Sequence, residues 1–573
     1  MPQLPQLNLR SRLSRRVADF KQATQSKENF HKYIQTKDSE NNGHWSWINE
    51  DLLPTPLEKC NWRSRNYVFF YASLSMDNWT LGSGLIGVGL NWWQAIIVVF
   101  VSQSLGAAAS ALNARCAERY HIGYPVVARS VFGMYGSYYA VAARAILAAI
   151  YFATKVYTGG AFVSNMLQAV FGSGYTKIPN HIPADIGYTT KEMLGFFLAW
   201  IVYVPIVFLR PYQLRWLFTL KIVTIIPTMV GLFIFCMVNT KADLALNEFA
   251  PGKGSVGWLV MYGLNSGLGS HSTLVTNQPD FSRWSRNKWN STWTLIFYPF
   301  AATLAAVFGI LSTSAINHAW GVKLWNQWDL LTAILERYPH SSARFAVFVC
   351  AACWAILTMG TNIASNLIAF GSDTSMLLPR YLDMRRGQVL CLLLAWPIFP
   401  WKILATATTF TNFLSGYGLF MGGISGVMIV DYYIWTKGNV FLPFLFNPHN
   451  NTHYTFTHGW NIQAYMAYIC GIALPLAGFC GKLGARGVSE TAMHLYYLGW
   501  LLSFFVSMFT YSAICMVWRT QNQKAVAILG LGYEEKATSS DYDFAAYTTN
   551  TGAIVGEDLV EEKVIVPEEY EVK

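Results

Sequence analysis

The chain is poor in charge: Asp, Glu, Lys and Arg make up 13% of its 573 residues, about half the share of a soluble globular domain. These charges do not gather into a dense basic stripe, so the net charge of +10 does not mark a conventional nucleic-acid binder. The nine cysteines lie mostly inside apolar runs. The one close pair, Cys350-x-x-Cys353, falls mid-helix beside no metal or redox partner, so a disulfide scaffold is excluded and the thiols read as small buried hydrophobes. Residues 1–66 lack the apolar core and cleavage site of a signal peptide. No histidine–acid motif stands out either, and a membrane enzyme using His271 as base would need such a second group.

What is abundant is apolar and aromatic: 53% hydrophobic residues, with 22 Trp, 31 Tyr and 36 Phe. The apolar residues fall in runs of roughly 20, the length a helix needs to cross hydrocarbon. The chain therefore reads as an all-α polytopic membrane protein. Its expected parts are a basic cytoplasmic arm over 1–66 (Arg10, Arg12, Arg15, Arg16, Lys21), a transmembrane domain over 67–518, and a cytoplasmic tail over 519–573. The tail is acidic near its end (Glu557, Asp558, Glu561, Glu562) and is expected to be disordered. About twelve spans are expected: 67–90, 94–113, 137–166, 194–210, 213–238, 256–276, 291–316, 342–370, 388–405, 407–435, 462–484 and 495–518. An even count puts both termini on one side, and the excess of Lys and Arg in alternate loops makes that side the cytoplasm.

Two spans are poor helices by their own chemistry. Span 1 contains Ser75-Met-Asp-Asn-Trp-Thr-Leu-Gly-Ser-Gly84 and span 6 contains Gly263-Leu-Asn-Ser-Gly-Leu-Gly-Ser-His-Ser-Thr273. Hydrocarbon satisfies no exposed backbone group, so breaks at this depth survive only beside a cavity, and a pair of them points to a transporter site between two repeats. The alternative is that Gly263 and Gly267 are helix-packing contacts. A five-plus-five inverted repeat with two further helices would set spans 1 and 6 in corresponding positions.

Ionisable groups inside spans mark candidate sites. Lys155 lies late in span 3, four residues after Tyr151 and on the same face; it either snorkels or, with the tyrosine ring, holds a flat polar ligand. Lys221 lies early in span 5, where snorkelling explains it as well as binding does. His271 is either a packing group or a proton relay. Asp77, in the span 1 break, can pair with such cations. In span 8, Asn362 and Asn366 share a face near Thr361 and offer amide groups to a nucleobase edge.

Several longer motifs occur in order: Gly89-Leu-Asn-Trp-Trp-Gln94, Tyr124-Pro-Val-Val-Ala-Arg-Ser-Val-Phe-Gly133, Leu217-Phe-Thr-Leu-Lys221, Asn277-Gln-Pro-Asp-Phe-Ser-Arg283, Gly360-Thr-Asn-Ile-Ala-Ser-Asn366 and Leu378-Pro-Arg-Tyr-Leu-Asp-Met-Arg-Arg-Gly387. Through them residues 45 to 520 resemble the nucleobase-cation-symport-1 family, in particular its fungal uracil, allantoin and uridine permease branch. The resemblance implies the LeuT-like five-plus-five fold with broken helices 1 and 6. It also implies import of a nucleobase or related heterocycle, of the uracil, allantoin, uridine or urate class, by alternating access. Transport would be coupled to a cation, usually H⁺ in fungi, with no cofactor. It places the substrate among Tyr151, Lys155, His271, Asn366, Lys221 and Asp373, and the coupling cation among Thr361, Leu357 and Asp77. Relatives carry Trp and Gln where Tyr151 and Lys155 stand, so the added charge favours a ligand with an anionic or electron-rich edge. Gly360 stands where sodium-coupled relatives place a hydroxyl. A vitamin-like or acidic heterocycle of the thiamine or nicotinate type, and a non-transporting nutrient sensor, are the alternatives. Membrane lipid and, by analogy with relatives removed by endocytosis, the ubiquitin-ligase machinery acting on Lys21, Lys27, Lys32, Lys37, Lys563 and Lys573 are the expected partners, at the plasma membrane.

Overall fold

The computed structural model describes residues 51–538 apart from 184–185, 209–214, 243, 245–254 and 447–450, together with residues 22, 25–35 and 47 of the arm. The basic residues expected to orient the arm (Arg10, Arg12, Arg15, Arg16, Lys21) and the acidic end of the tail lie outside the described residues. Those described form helices and loops, with no strand among them.

Eight helices are long and apolar enough to cross a bilayer unaided. They are span 2 (Trp92–Tyr120), span 3 (Ser137–Phe171), span 5 (Thr219–Asn239), span 7 (Asn290–Trp320), span 8 (Ser341–Leu377), span 10 (Ala407–Trp435), span 11 (Ile462–Lys482) and span 12 (Gly499–Val517). The other four expected spans are helical as well, and each falls short for a visible reason. Span 1 is split into Ser64–Ser75 and Asn78–Val88. Span 4 (Thr190–Ile206) has 17 residues and carries Pro205 in its last turn. Span 6 (Val256–Ser282) is diluted by Gly, Ser, Thr and Asn. Span 9 shrinks from the expected 388–405 to Met384–Leu394, because Pro397 and Pro400 flank Phe399, whose φ of 52° is left-handed.

The expected break in span 1 is present: the Met76 and Asp77 N–H groups both turn back to the Leu74 carbonyl, and the Asn78 side-chain amide donates to the Ser75 carbonyl at 2.9 Å. The expected break in span 6 is not. The helix runs without interruption over Val256–Ser282, and its small residues serve as packing surfaces. A Cβ at Gly269 would strike the Leu414 carbonyl of span 10. On the other flank, Gly106 of span 2 admits the His271 ring, whose Cγ would lie 2.5 Å from a Cβ there. Small side chains thus let span 6 sit backbone to backbone between spans 2 and 10. A π-turn over Ile363–Leu367 interrupts span 8, and another over Asp431–Trp435 ends span 10.

The Gly89-to-Gln94 motif has a local explanation. Gly89, at φ 114°, ends span 1, with the Leu90 N–H returning to the Leu85 carbonyl at 3.1 Å. Asn91 and Gln94 then form a capping box that starts span 2. The other end of span 2 gathers both flanks of the chain. The Thr55 N–H donates to the His121 carbonyl at 2.8 Å, and Arg119 pairs with Glu534 at 2.7 Å. The described arm residues and the carboxyl-terminal segment therefore share one end of the bundle, the tail-side end below. The tail is not disordered throughout as expected: Gln521–Ile528 is helical, and Asn522, Gln523 and Glu534 are buried. Nor are all nine cysteines buried. Cys60, Cys116, Cys236, Cys391 and Cys515 are, whereas Cys470 and Cys480 are exposed on the apolar face of span 11.

Candidate substrate and cation site

At the interruption of span 1, Asp77 meets Lys155 of span 3 in an ion pair. Their side chains are 23% and 18% exposed, so the pair is open to the centre of the bundle. One helical turn before Lys155, Tyr151 presents its ring edge to Phe413 and Tyr417 of span 10, with centroids 5.3 and 5.4 Å away. The Tyr417 hydroxyl donates to the Gly269 carbonyl at 2.5 Å and in turn accepts from the Tyr151 hydroxyl. Spans 1, 3, 6 and 10 are thereby joined around one charged pair and three rings.

A second group lies between spans 5 and 8. The Lys221 side-chain nitrogen, fully buried, donates to the Thr361 hydroxyl at 2.7 Å, and that hydroxyl donates to the Leu357 carbonyl at 3.0 Å. Of the residues expected to hold a coupling cation, Thr361 therefore receives the Lys221 side chain and Leu357 accepts from Thr361, while Asp77 pairs with Lys155. Gly360 makes this possible, since a Cβ there would lie 3.0 Å from the Lys221 side chain. In the π-turn, the Asn366 amide donates to Asn362 Oδ1 at 2.8 Å, and Asn362 donates to the Phe152 carbonyl and the Tyr203 hydroxyl, both at 3.1 Å. The π-turn also leaves Ser365 partly exposed beside these amides.

Lys221, expected at the substrate, is thus wholly buried against Thr361, and two further expected substrate residues lie elsewhere. His271 faces span 2: its Nδ1 donates to Gln103 Oε1 at 2.8 Å, and Nε2, which must then accept, takes the Ser110 hydroxyl at 3.1 Å. With both nitrogens engaged and 2% of its surface exposed, the ring fills the notch left by Gly106. The ring faces span 2 rather than the centre. Asp373 is wholly buried against Arg144, which reaches it through Nε at 2.9 Å and also contacts Asp280 at 2.7 Å and the Thr276 carbonyl at 2.9 Å. The guanidinium lies 3.9 Å from the Tyr124 ring centroid. Two carboxylates and one arginine therefore tie spans 3, 6 and 8 together on the tail side of the centre. A long Arg fits this bridge because its planar fork serves several acceptors at once.

Sequence reasoning missed Tyr417, Phe413 and Asp280. The two aromatics belong to an apolar, Gly-rich span where nothing local sets them apart. Asp280 stood in the Asn277-Gln-Pro-Asp motif, and an acidic residue at a span end four residues after Thr276 was the available signal.

Interrupted and π-turned helices around buried, charge-bearing side chains at mid-bundle define a membrane transporter rather than an enzyme. A family model described as permeases for cytosine and purines, uracil, thiamine and allantoin matches residues 54–503, and the chain belongs to that family, the nucleobase-cation-symport-1 transporters. It is 33% identical to the allantoin permease of Saccharomyces cerevisiae over 478 residues, covering 82% of this chain and 75% of that one. It is 31% identical to the uracil permease of the same yeast, with equal coverage. Among solved structures it resembles Mhp1, a nucleobase-cation-symport-1 transporter in a closed conformation with bromovinylhydantoin bound, at a TM-score of 0.64 and 16% identity, covering 86% of this chain and all of that one. The fold is thus that of a nucleobase-cation-symport-1 transporter, the class in which the five-plus-five arrangement was expected.

Proposed function

We propose that the chain is a proton-coupled importer of a small uncharged heterocycle of the uracil and allantoin class. The observation that carries this reading is the Asp77–Lys155 pair beside Tyr151. With each charge answered by the other, the pair offers no net charge to a ligand. It offers a carboxylate acceptor beside an ammonium donor. A lactam or ureide edge, with an N–H next to a C=O, matches that pattern, and an aromatic wall suits its flat ring. An anionic ligand would compete with Asp77 for Lys155, so the electron-rich preference expected from Lys155 alone is reduced. The names of the yeast relatives, permeases for allantoin and uracil, support the same class.

Protons rather than sodium are proposed as the coupling ion because the Lys221 side-chain nitrogen already occupies the Thr361 hydroxyl, and Gly360 adds no side-chain oxygen ligand. The proposed setting is the plasma membrane with the tail-side end in the cytoplasm, following the lysine and arginine excess of the loops on that side. Uptake of a radiolabelled panel in a transport-deficient host tests the reading. Accumulation of a neutral heterocycle should collapse with a protonophore and persist when choline replaces sodium. Uptake that needs sodium and ignores the protonophore would sink it.

A further inference from the structure

The carboxyl-terminal segment is built into the transporter at one point. Glu534 is 3% exposed and accepts from Arg115 Nε at 2.7 Å through one carboxylate oxygen and from Arg115 Nη2 at 2.7 Å through the other, which Arg119 also contacts at 2.7 Å. Both arginines belong to the last turns of span 2. The Tyr432 hydroxyl, in the π-turn ending span 10, donates to Glu534 at 3.1 Å, and the Glu534 N–H donates to the Lys437 carbonyl at 2.8 Å. Glu534 takes a left-handed φ of 53°, unusual for a residue with a side chain, and these contacts hold it there. Earlier in the segment, Gln523 donates to Asp431 at 2.9 Å and to Tyr511 of span 12 at 3.0 Å. Arg115 also stacks on Trp289, 3.6 Å from the ring centroid, in the loop between spans 6 and 7. One carboxylate from outside the membrane domain therefore joins the ends of spans 2 and 10 and, through Arg115, the span 6–7 loop.

This is also the closed end. The side chains of Arg144, Asp280 and Asp373 are 2%, 6% and 0% exposed, against 18% and 23% for Lys155 and Asp77. Opening toward the tail side requires the ends of the spans to part, and without Glu534 two neighbouring buried arginines would repel each other. We propose that residues 520–538 form a clamp, centred on Glu534, that favours the conformation closed on the tail side, so that undocking the segment shifts the transporter toward opening there. The clamp is a regulatory device carried by the chain itself.

Hydrogen–deuterium exchange on the full chain in lipid nanodiscs reads this directly. In Glu534→Gln, peptides covering 276–283 and 366–374, which show no hydrogen bond to the described tail residues, should exchange about threefold faster or more, while 159–171 at the other end stays at the wild-type rate. Tyr432→Phe, a milder change, should give the same pattern at smaller amplitude and keeps the test open if Glu534→Gln does not fold. The charge-reversed pair Arg119→Glu with Glu534→Arg should return 276–283 toward the wild-type rate. Faster exchange confined to 520–538 and 431–440 would mean local docking alone and overturn the proposal. So would wild-type exchange throughout in both single variants, or equal acceleration at both ends.

Discussion

Replacing Lys155 by Gln, an uncharged side chain of similar length, removes the cation that contacts Asp77 and leaves the Lys221 side chain within electrostatic reach but not in contact. Breaking a fully buried ion pair by removing one partner costs about 3 to 5 kcal/mol, because the remaining charge is stranded. The two side chains here retain about a fifth of their exposure, so the cost should fall below that range, at about 2 kcal/mol, or roughly a 30-fold loss in apparent affinity for every substrate alike. Asp77→Asn should do comparable damage by stranding Lys155. The double variant Asp77→Asn with Lys155→Gln removes both charges and keeps a donor and an acceptor side by side, and should recover to within about threefold of wild type, which is the mark of a coupled pair. The assay is initial uptake across a concentration series, normalised to protein at the cell surface, with competition by unlabelled heterocycles. Losses that simply add in the double variant would refute the pairing argument. A Lys155→Gln variant with unchanged overall uptake but a reordered inhibitor profile would show instead that Lys155 reads the ligand alone.

Four further outcomes are expected. Asn366→Ala should raise the apparent KM tenfold to a hundredfold, about 1 to 3 kcal/mol for a lost amide contact in a dry site; an unchanged KM in correctly delivered protein would assign Asn366 to packing with Asn362. Gly360→Ala should sharply lower uptake, since its Cβ must displace the Lys221 stem, and Lys221→Ala in the same chain should relieve the steric clash without restoring coupling, as read by protonophore sensitivity. Asp373→Asn should destabilise the detergent-solubilised protein by about 3 kcal/mol through loss of one carboxylate from Arg144, read as a lower melting temperature by size-exclusion fluorescence. His453, in the loop before span 11, stacks between Phe441 and Phe444, and burial, with a smaller push from Lys536, pulls it down to about 4. Its folded value lies below its unfolded value of about 6.5, so its neutral form supports the fold above pH 6.5 and stability falls by about 3 kcal/mol as pH drops toward 4. His453→Gln should flatten that part of the melting-temperature profile.

Hydropathy alone located the helices, because a lipid-crossing helix is the one element whose length and composition are both imposed by its solvent. The interruption of span 1 was legible for a related reason: Asp77 and Asn78 are too polar for an unbroken helix at that depth. Span 6 shows the limit of that logic. Gly, Ser and Thr at mid-membrane serve equally well to break a helix or to let one pack tightly, and only the presence of Leu414 and Ser102 against its faces decides between them. Side-chain partners were harder still to read. Asp373 and Arg144 are 229 residues apart, and His271 and Gln103 are 168 apart; such pairings are set by helix rotation, which spacing within one span does not reveal. The docked tail went unseen because its composition is polar, and Glu534 gains its place only from arginines supplied by span 2.

The contact between spans 6 and 10 has a mechanical consequence. At Gly269 the two helices touch through backbone atoms, with Gly418 on the facing helix making the same concession to closeness, and the Tyr417 hydroxyl is fastened to the Gly269 carbonyl. No compressible layer of side chains separates them there, so a tilt of span 10 toward span 6 is blocked and a slide breaks the tyrosine's hold. Any swing of Tyr417 away from Tyr151 must either cut that hydrogen bond or carry span 6 along. The aromatic wall of the cavity and the helix behind it therefore move as one lever, and the strength of a single hydroxyl-to-carbonyl bond sets how readily the lever disengages.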